Sequence, residues 1–271
     1  MLLVNVVIDF HKKFLGCVIG RNSLCGVPVV RLRRFLPLAL PKSFSESLLN
    51  YQKGVYIMSY DISQWIIKIP ILLFAITIHE YAHGRAALAM GDPTAKAMGR
   101  LSLNPLPHID PMGAICLFLF HFGWAKPVPI NPRYFKNIRR DTIIVSLAGP
   151  LSNLAAAFFA GVLIRYFLLP WEIYLEALLY LLFMNIGLGI FNLLPLPPLD
   201  GAHVLENVLS PDAAQRFRQF GRYSPFILLA IILMDNFADT GILRAILIGP
   251  MNYLAHIFAG ENFFRLFHMV R

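Results

Sequence analysis

At 271 residues, with 57% hydrophobic residues and a mean hydropathy of +0.62, the chain is more apolar than the roughly 45–50% usual in soluble domains, which excludes an ordinary water-soluble enzyme. The net charge of +9 is carried by Lys and Arg in short segments between apolar runs, a distribution that marks cytoplasmic loops and argues against a nucleic-acid partner. The three cysteines, Cys17, Cys25 and Cys116, are odd in number and lack C-x-x-C spacing, so neither a disulfide framework nor a cysteine zinc site is supported. The expected fold class is an all-α polytopic membrane protein in contact with the lipid bilayer.

Residues 1–57 carry eight Lys or Arg against only Asp9 and Glu46. Their apolar start, Met1–Ile8, precedes the positive charges, and no small-residue cleavage site follows, so they do not read as a secretory signal. They read as a basic leader that is disordered, a targeting segment or an over-extended start, with the functional domain, 58–271, beginning near Met58. Within that domain 60–205 forms the core and 206–271 the C-terminal helices.

The first span covers about 62–84. Its apolar run Trp65–Ile78 is closed by His79-Glu80-Tyr81-Ala82-His83. On a helix, histidines four residues apart project from one face, so both imidazoles can bind one Zn²⁺ while Glu80 beside them can take a proton from water. Unpaired ionisable groups at membrane depth cost several kcal/mol, which argues for a metal site over a chance motif.

The next apolar stretch, 112–122, is about eleven residues long, too short for a ~30 Å core, and is expected to be re-entrant or interfacial. His121 within it is expected at the interface. Full spans follow at about 142–169 and 174–196, and weaker ones near 224–236 and 241–259, giving about five in all. If 112–122 does not cross, the basic segment 85–141 lies on one side, which the positive-inside rule makes the cytoplasm. The protein is expected to be a multi-pass protein, of a bacterial cell membrane, with its active site opening toward the cytoplasm. Two stretches of 85–141 suit extended backbone, Thr94–Leu103 and Trp124–Asn131. Either is a candidate for holding an extended substrate by strand addition, with a plain connecting loop as the alternative.

A catalytic zinc site needs a third protein ligand. The strongest candidate is Asp200 in Asn192-Leu-Leu-Pro195-Leu-Pro197-Pro198-Leu199-Asp200-Gly201, a carboxylate after a proline-broken helix end. Asp-Gly is also the commonest turn dipeptide, so a surface turn is the alternative.

His79-Glu80-x-x-His83 in one span, with Asn192-x-x-Pro195-x-x-x-Leu199-Asp200-Gly201 at the end of another, resembles the site-2 protease family of intramembrane zinc metallopeptidases. Gly149-Pro150-Leu151-Ser152-Asn153 matches a third pattern of that family, and the similarity spans 60–205 in order. The resemblance implies one Zn²⁺ per chain held by His79, His83 and Asp200, with Glu80 as the catalytic base. It also implies cleavage of membrane-anchored protein substrates within or next to their spans. No PDZ or CBS-pair domain is evident, so the chain resembles a compact branch.

Asn153 and Asn192 are amides inside apolar helices, where a helix–helix hydrogen bond is worth on the order of 1 kcal/mol. Asn192, eight residues before Asp200, is equally a candidate donor to a developing oxyanion, whereas for Asn153 the structural role is favoured. His108 and His203 are imidazoles near the motifs that either support the ligands from behind or are ordinary loop residues. A metal transporter would need polar residues through several spans and often a repeat, and neither is seen. The intact Glu80 argues against a catalytically inactive relative that only binds membrane helices.

Overall fold

The computed structural model describes residues 42–261 except 121, 122, 168, 170 and 239. The expectations that fall on Met1–Ile8, Cys17, Cys25 and His121 therefore lie outside the described residues. Helices dominate: α1 (Lys42–Ala89), α2 (Pro111–Phe120), α3 (Ile138–Tyr166), α4 (Glu172–Asn192), α5 (Asp200–Val208), α6 (Pro211–Gly221), α7 (Ser224–Ala238) and α8 (Ile242–Ala259). Helix α1 begins at Lys42, inside the segment read as a leader, and 1–41 lie outside the described residues.

Four helical stretches among the described residues are long and apolar enough to cross a membrane: Ile66–Ala89 of α1, α3, Ile173–Asn192 of α4, and α8. Among the described residues the count is four, against the about five expected. The stretch near 224–236 forms α7, whose 15 residues rise only about 22 Å. A reason is visible in Asp235, whose carboxylate accepts the N–H groups of Ile242 and Leu243 and so ties the end of α7 to the start of α8. Gly241 adopts φ 70° between them, a left-handed turn that glycine takes without a Cβ penalty.

Helix α4 is the centre of the bundle. From Leu182 to Gly189 every residue is buried, as expected of a helix that is apolar on all sides. Helix α3 packs against α1, α4, α5 and α8. Small residues set its spacing: Ala157 and Ala160 are fully buried, and a Cβ on Gly161 would lie 2.5 Å from that of Phe258 on α8. The opposite faces stay apolar and exposed, with Ile66 and Phe74 on α1, Leu151 and Phe159 on α3, and Ile246 and Tyr253 on α8, as lipid contact requires.

Between α1 and α3 the chain makes an excursion that returns to its origin. Helix α2, ten residues, is too short to cross. Ile109 and Ala125 pair in an antiparallel bridge, and the Lys126 N–H donates to the His108 carbonyl at 2.9 Å, so the two ends of the excursion are tied side by side. This agrees with the expectation that 112–122 does not cross. The extended-backbone expectation holds for one of its two stretches. Residues 124–131 run without helix, whereas Thr94–Ala97 is a helical turn. The side chain of Asp92, two residues before it, accepts the Thr94 N–H at 2.9 Å, and Gly99 at φ 66° follows its end.

Candidate metal centre

The span carrying His79, Glu80 and His83 meets α5 at its first residue, Asp200. The two Nε2 atoms are 3.0 Å apart, and Asp200 Oδ2 lies 3.2 Å from that of His79 and 3.3 Å from that of His83. These three are the cluster of potential metal-binding side chains found among the described residues.

Each imidazole is turned by a partner behind it. His83 Nδ1 meets the Val145 carbonyl of α3 at 2.8 Å; a carbonyl can only accept, so Nδ1 carries the proton and Nε2 presents a lone pair. His79 Nδ1 meets Asn153 Oδ1 at 2.6 Å and presents Nε2 in the same way. Asp200 Oδ2 is buried and finds no hydrogen-bond donor. Three acceptor atoms thus converge with nothing protonated between them. Their separations match the edge of a tetrahedron with bonds of ~2.0 Å, about 3.3 Å, and the His₂-carboxylate donor set suits zinc.

Local sequence explains how Asp200 gets there. Helix α4 ends at Asn192, and the prolines at 195, 197 and 198 prevent its continuation. The Leu199 N–H donates to the Leu196 carbonyl, and Ser224 Oγ, fully buried, donates to the Pro197 carbonyl at 2.6 Å. A Cβ on Gly201 would strike the Leu193 carbonyl and lie 2.6 Å from that of Leu194, so only glycine lets α5 start so close to the end of α4. Gly149 plays the matching part on α3. A Cβ there would run into the His83 ring and sit 2.7 Å from His79 Nε2.

Glu80 is buried, and its Oε2 accepts the Val128 N–H at 2.9 Å. Val128 stands between Pro127 and Pro129, neither of which has an N–H, so its amide is the one backbone donor of that tripeptide. The segment around it is fixed by two further buried charged side chains. Arg100 donates to the carbonyls of Lys126 and Pro127, and Asp92 accepts the Asn131 N–H.

A cavity of about 640 Å³ opens over these groups. His79, Glu80, His83, Asp200, Asn192 and His203 all line it, with Trp124, Val128 and Phe226 among its apolar walls. Asn192 spends one N–H on the Leu188 carbonyl of its own helix. His108 is not brought to the cavity: it is buried in the excursion, where its Nε2 meets the Ser102 carbonyl at 2.9 Å. The residues that sequence reasoning missed are Val128, Val145 and Asn185. The first two act through the main chain, for which the flanking prolines of Val128 are the one signal.

Residues 169–234, which include the Asn192–Gly201 turn, match the profile of Peptidase family M50. The chain is 38% identical over 182 residues to a Bacillus subtilis protein named "Putative zinc metalloprotease YwhC", an alignment covering 64% of this chain and 83% of that one. The chain belongs to peptidase family M50. "Putative zinc metalloprotease Rip2" of Mycolicibacterium smegmatis is 30% identical over 183 residues, 65% of this chain and 70% of its own. A Rip2 of Mycobacterium tuberculosis aligns similarly, at 30% over 187 residues, 66% of this chain and 68% of its own. No solved structure matches. The M50 assignment bears out the resemblance to site-2 proteases, and with the four apolar helices it makes the chain a membrane zinc metalloprotease.

Proposed function

We propose that this M50 protease cleaves a peptide bond in or next to a transmembrane segment of a membrane-anchored protein. One zinc ion per chain is held by His79, His83 and Asp200, and Glu80 is the base. The observation that carries the reading is the convergence of three acceptor atoms on the span Ile66–Ala89. Zinc in such a site supplies Lewis acidity to the scissile carbonyl and lowers the pKa of water toward ~7.

The chain's own residues do the rest. The Val128 N–H holds Oε2 of Glu80, which leaves Oε1 to take a proton from the attacking water and to pass it to the leaving amine. Asn192 keeps one amide hydrogen unspent toward the cavity, in reach of an oxyanion role, and Asn153 orients His79. His203 stands at the rim. A helical substrate seals its carbonyls in i→i−4 hydrogen bonds, so it must unwind before reaching Glu80. The extended segment 124–131 along the cavity wall offers backbone beside which an unwound strand can lie. The excess of Lys and Arg in 85–141 supports an orientation in a bacterial cell membrane with the cavity opening toward the cytoplasm.

The test is reconstitution in liposomes with zinc and two substrates of the same sequence, one anchored by a transmembrane helix and one a soluble peptide. Mass spectrometry should find cleavage of the anchored form, within or next to its span, abolished by a chelator. Cleavage of the soluble peptide alone would refute the intramembrane reading.

A further inference from the structure

We propose that Asn185, in the middle of α4, is a positioning residue for the metal centre: through Asn153 it fixes the ring orientation and tautomer of His79. The inference rests on His79 being a metal ligand.

Asn185 is fully buried in the enclosed part of α4, where an amide without partners costs several kcal/mol. Nothing in the helix calls for an amide there. Its Nδ2 donates to the Leu181 carbonyl at 2.9 Å, one turn back on the same helix. That bond settles which way the amide faces, because a carbonyl accepts and never donates. Oδ1 of Asn185 is thereby turned outward, and it accepts from Asn153 Nδ2 of α3 at 2.9 Å.

Asn153, also fully buried, has two amide hydrogens and two takers. One is Asn185 Oδ1, and the other is the Ala75 carbonyl of α1 at 2.9 Å. Both are acceptors, so a flipped Asn153 would set its own oxygen against two oxygens and lose both hydrogen bonds. The amide is locked with Oδ1 toward His79 Nδ1, at 2.6 Å. His79 Nδ1 must then be the protonated nitrogen, and Nε2 faces Asp200 Oδ2 with its lone pair. The direction of each hydrogen bond follows from the one before, from Leu181 through Asn185 and Asn153 to His79, across three helices. Ala75 alone would give Asn153 one acceptor; Asn185 supplies the second and makes the flipped state unfavourable at both hydrogens.

The experiment uses the purified full-length protein in detergent. Zinc affinity is measured by competition with a chromophoric chelator, and ligand geometry by the visible absorption of the cobalt-substituted form. Asn185→Leu and Asn185→Ala should each weaken zinc binding by about tenfold and alter the cobalt spectrum, as loss of a partner behind a ligating histidine does. The thermal unfolding of the metal-free protein should fall less with Asn185→Leu than with Asn185→Ala, since leucine suits the apolar surroundings and offsets part of the cost of the Asn153 hydrogen left unpaired. In an Asn153→Ala background, adding Asn185→Leu should change zinc affinity by less than about twofold, because the path to His79 is already cut. Wild-type affinity and spectrum in both single variants would overturn the proposal, and so would a full tenfold loss that persists in the Asn153→Ala background. Failure of both variants to fold would assign Asn185 to the fold and overturn it equally. His79→Ala is the reference and should lose the metal; retention there would show that the ligand set itself is wrong, a failure separate from that of Asn185.

Discussion

Replacing Gly149 by alanine adds one methyl group at the point where α3 touches both imidazoles. The new Cβ would lie 2.7 Å from His79 Nε2, against the 3.4 Å at which ordinary contact begins, so at least about 0.7 Å must be found, and more toward the His83 ring. The His83 ring is held by Val145 and the His79 ring by Asn153, and α3 is pinned between α1 and α4. Two effects of known size compete. Gly→Ala within a helix gains about 1 kcal/mol in propensity, which acts on the whole fold. Overpacking costs about 1–3 kcal/mol, and here it falls on the two nitrogens. Zinc affinity should therefore drop by about 5- to 150-fold, at roughly 1.4 kcal/mol per tenfold, while the metal-free protein keeps its stability. Gly249→Ala on α8 is the control, since nothing lies within 4 Å of its added methyl group. The assay is zinc competition together with thermal unfolding of the metal-free variants. Unchanged zinc affinity in Gly149→Ala would show that the imidazoles are not held against α3 as described.

Glu80→Gln should retain zinc and lose cleavage, because the amide fills the same space but cannot take a proton; zinc content and turnover of the anchored substrate check both halves. Asp200→Asn should weaken zinc binding markedly, since it removes the anionic ligand, while Asp110→Asn and Asp212→Asn should not, as metal analysis of the three will show. Asp110 accepts the Gly113 N–H in the first turn of α2, and Asp212 lies in the first turn of α6. Val128→Pro removes the N–H that holds Glu80 and should lower kcat about 10- to 100-fold with zinc retained, the worth of one hydrogen bond to a charged group, whereas Val128→Ala keeps the donor and most of the rate.

What could be read from the chain divides by distance along it. The facing of His79 and His83 depends on helix period alone, and the break before Asp200 on three prolines, so both were legible locally. Asp200 became a ligand candidate rather than a turn residue only through its pairing with the upstream motif. The roles of Val145, Asn185 and Gly149 depend on how α1, α3 and α4 mesh, and a register between helices is written in no single segment. Val128 works through its backbone, so its side chain carries no sign of it. Thr94–Ala97 was legible in principle, since Asp92 before it and Gly99 after it are ordinary start and stop signals, but Thr94 and the alternating Leu101 and Leu103 beyond it suggested extended backbone. The fifth expected span falls on α7, apolar enough but, at 15 residues, short of the length that crosses.

The pairing of Ile109 with Ala125 and of His108 with Lys126 makes the stretch between them a cassette. Both of its attachment points sit at one place, so its length is decoupled from the position of Val128 and from the grip on Glu80, while Gly113 and Leu117 remain tied to the core by close packing. Changes at the exposed Ile115 and Leu119 can retune how this part of the molecule meets lipid while leaving the reaction centre unmoved. The chain thereby separates the part free to follow its membrane environment from the part that chemistry holds fixed.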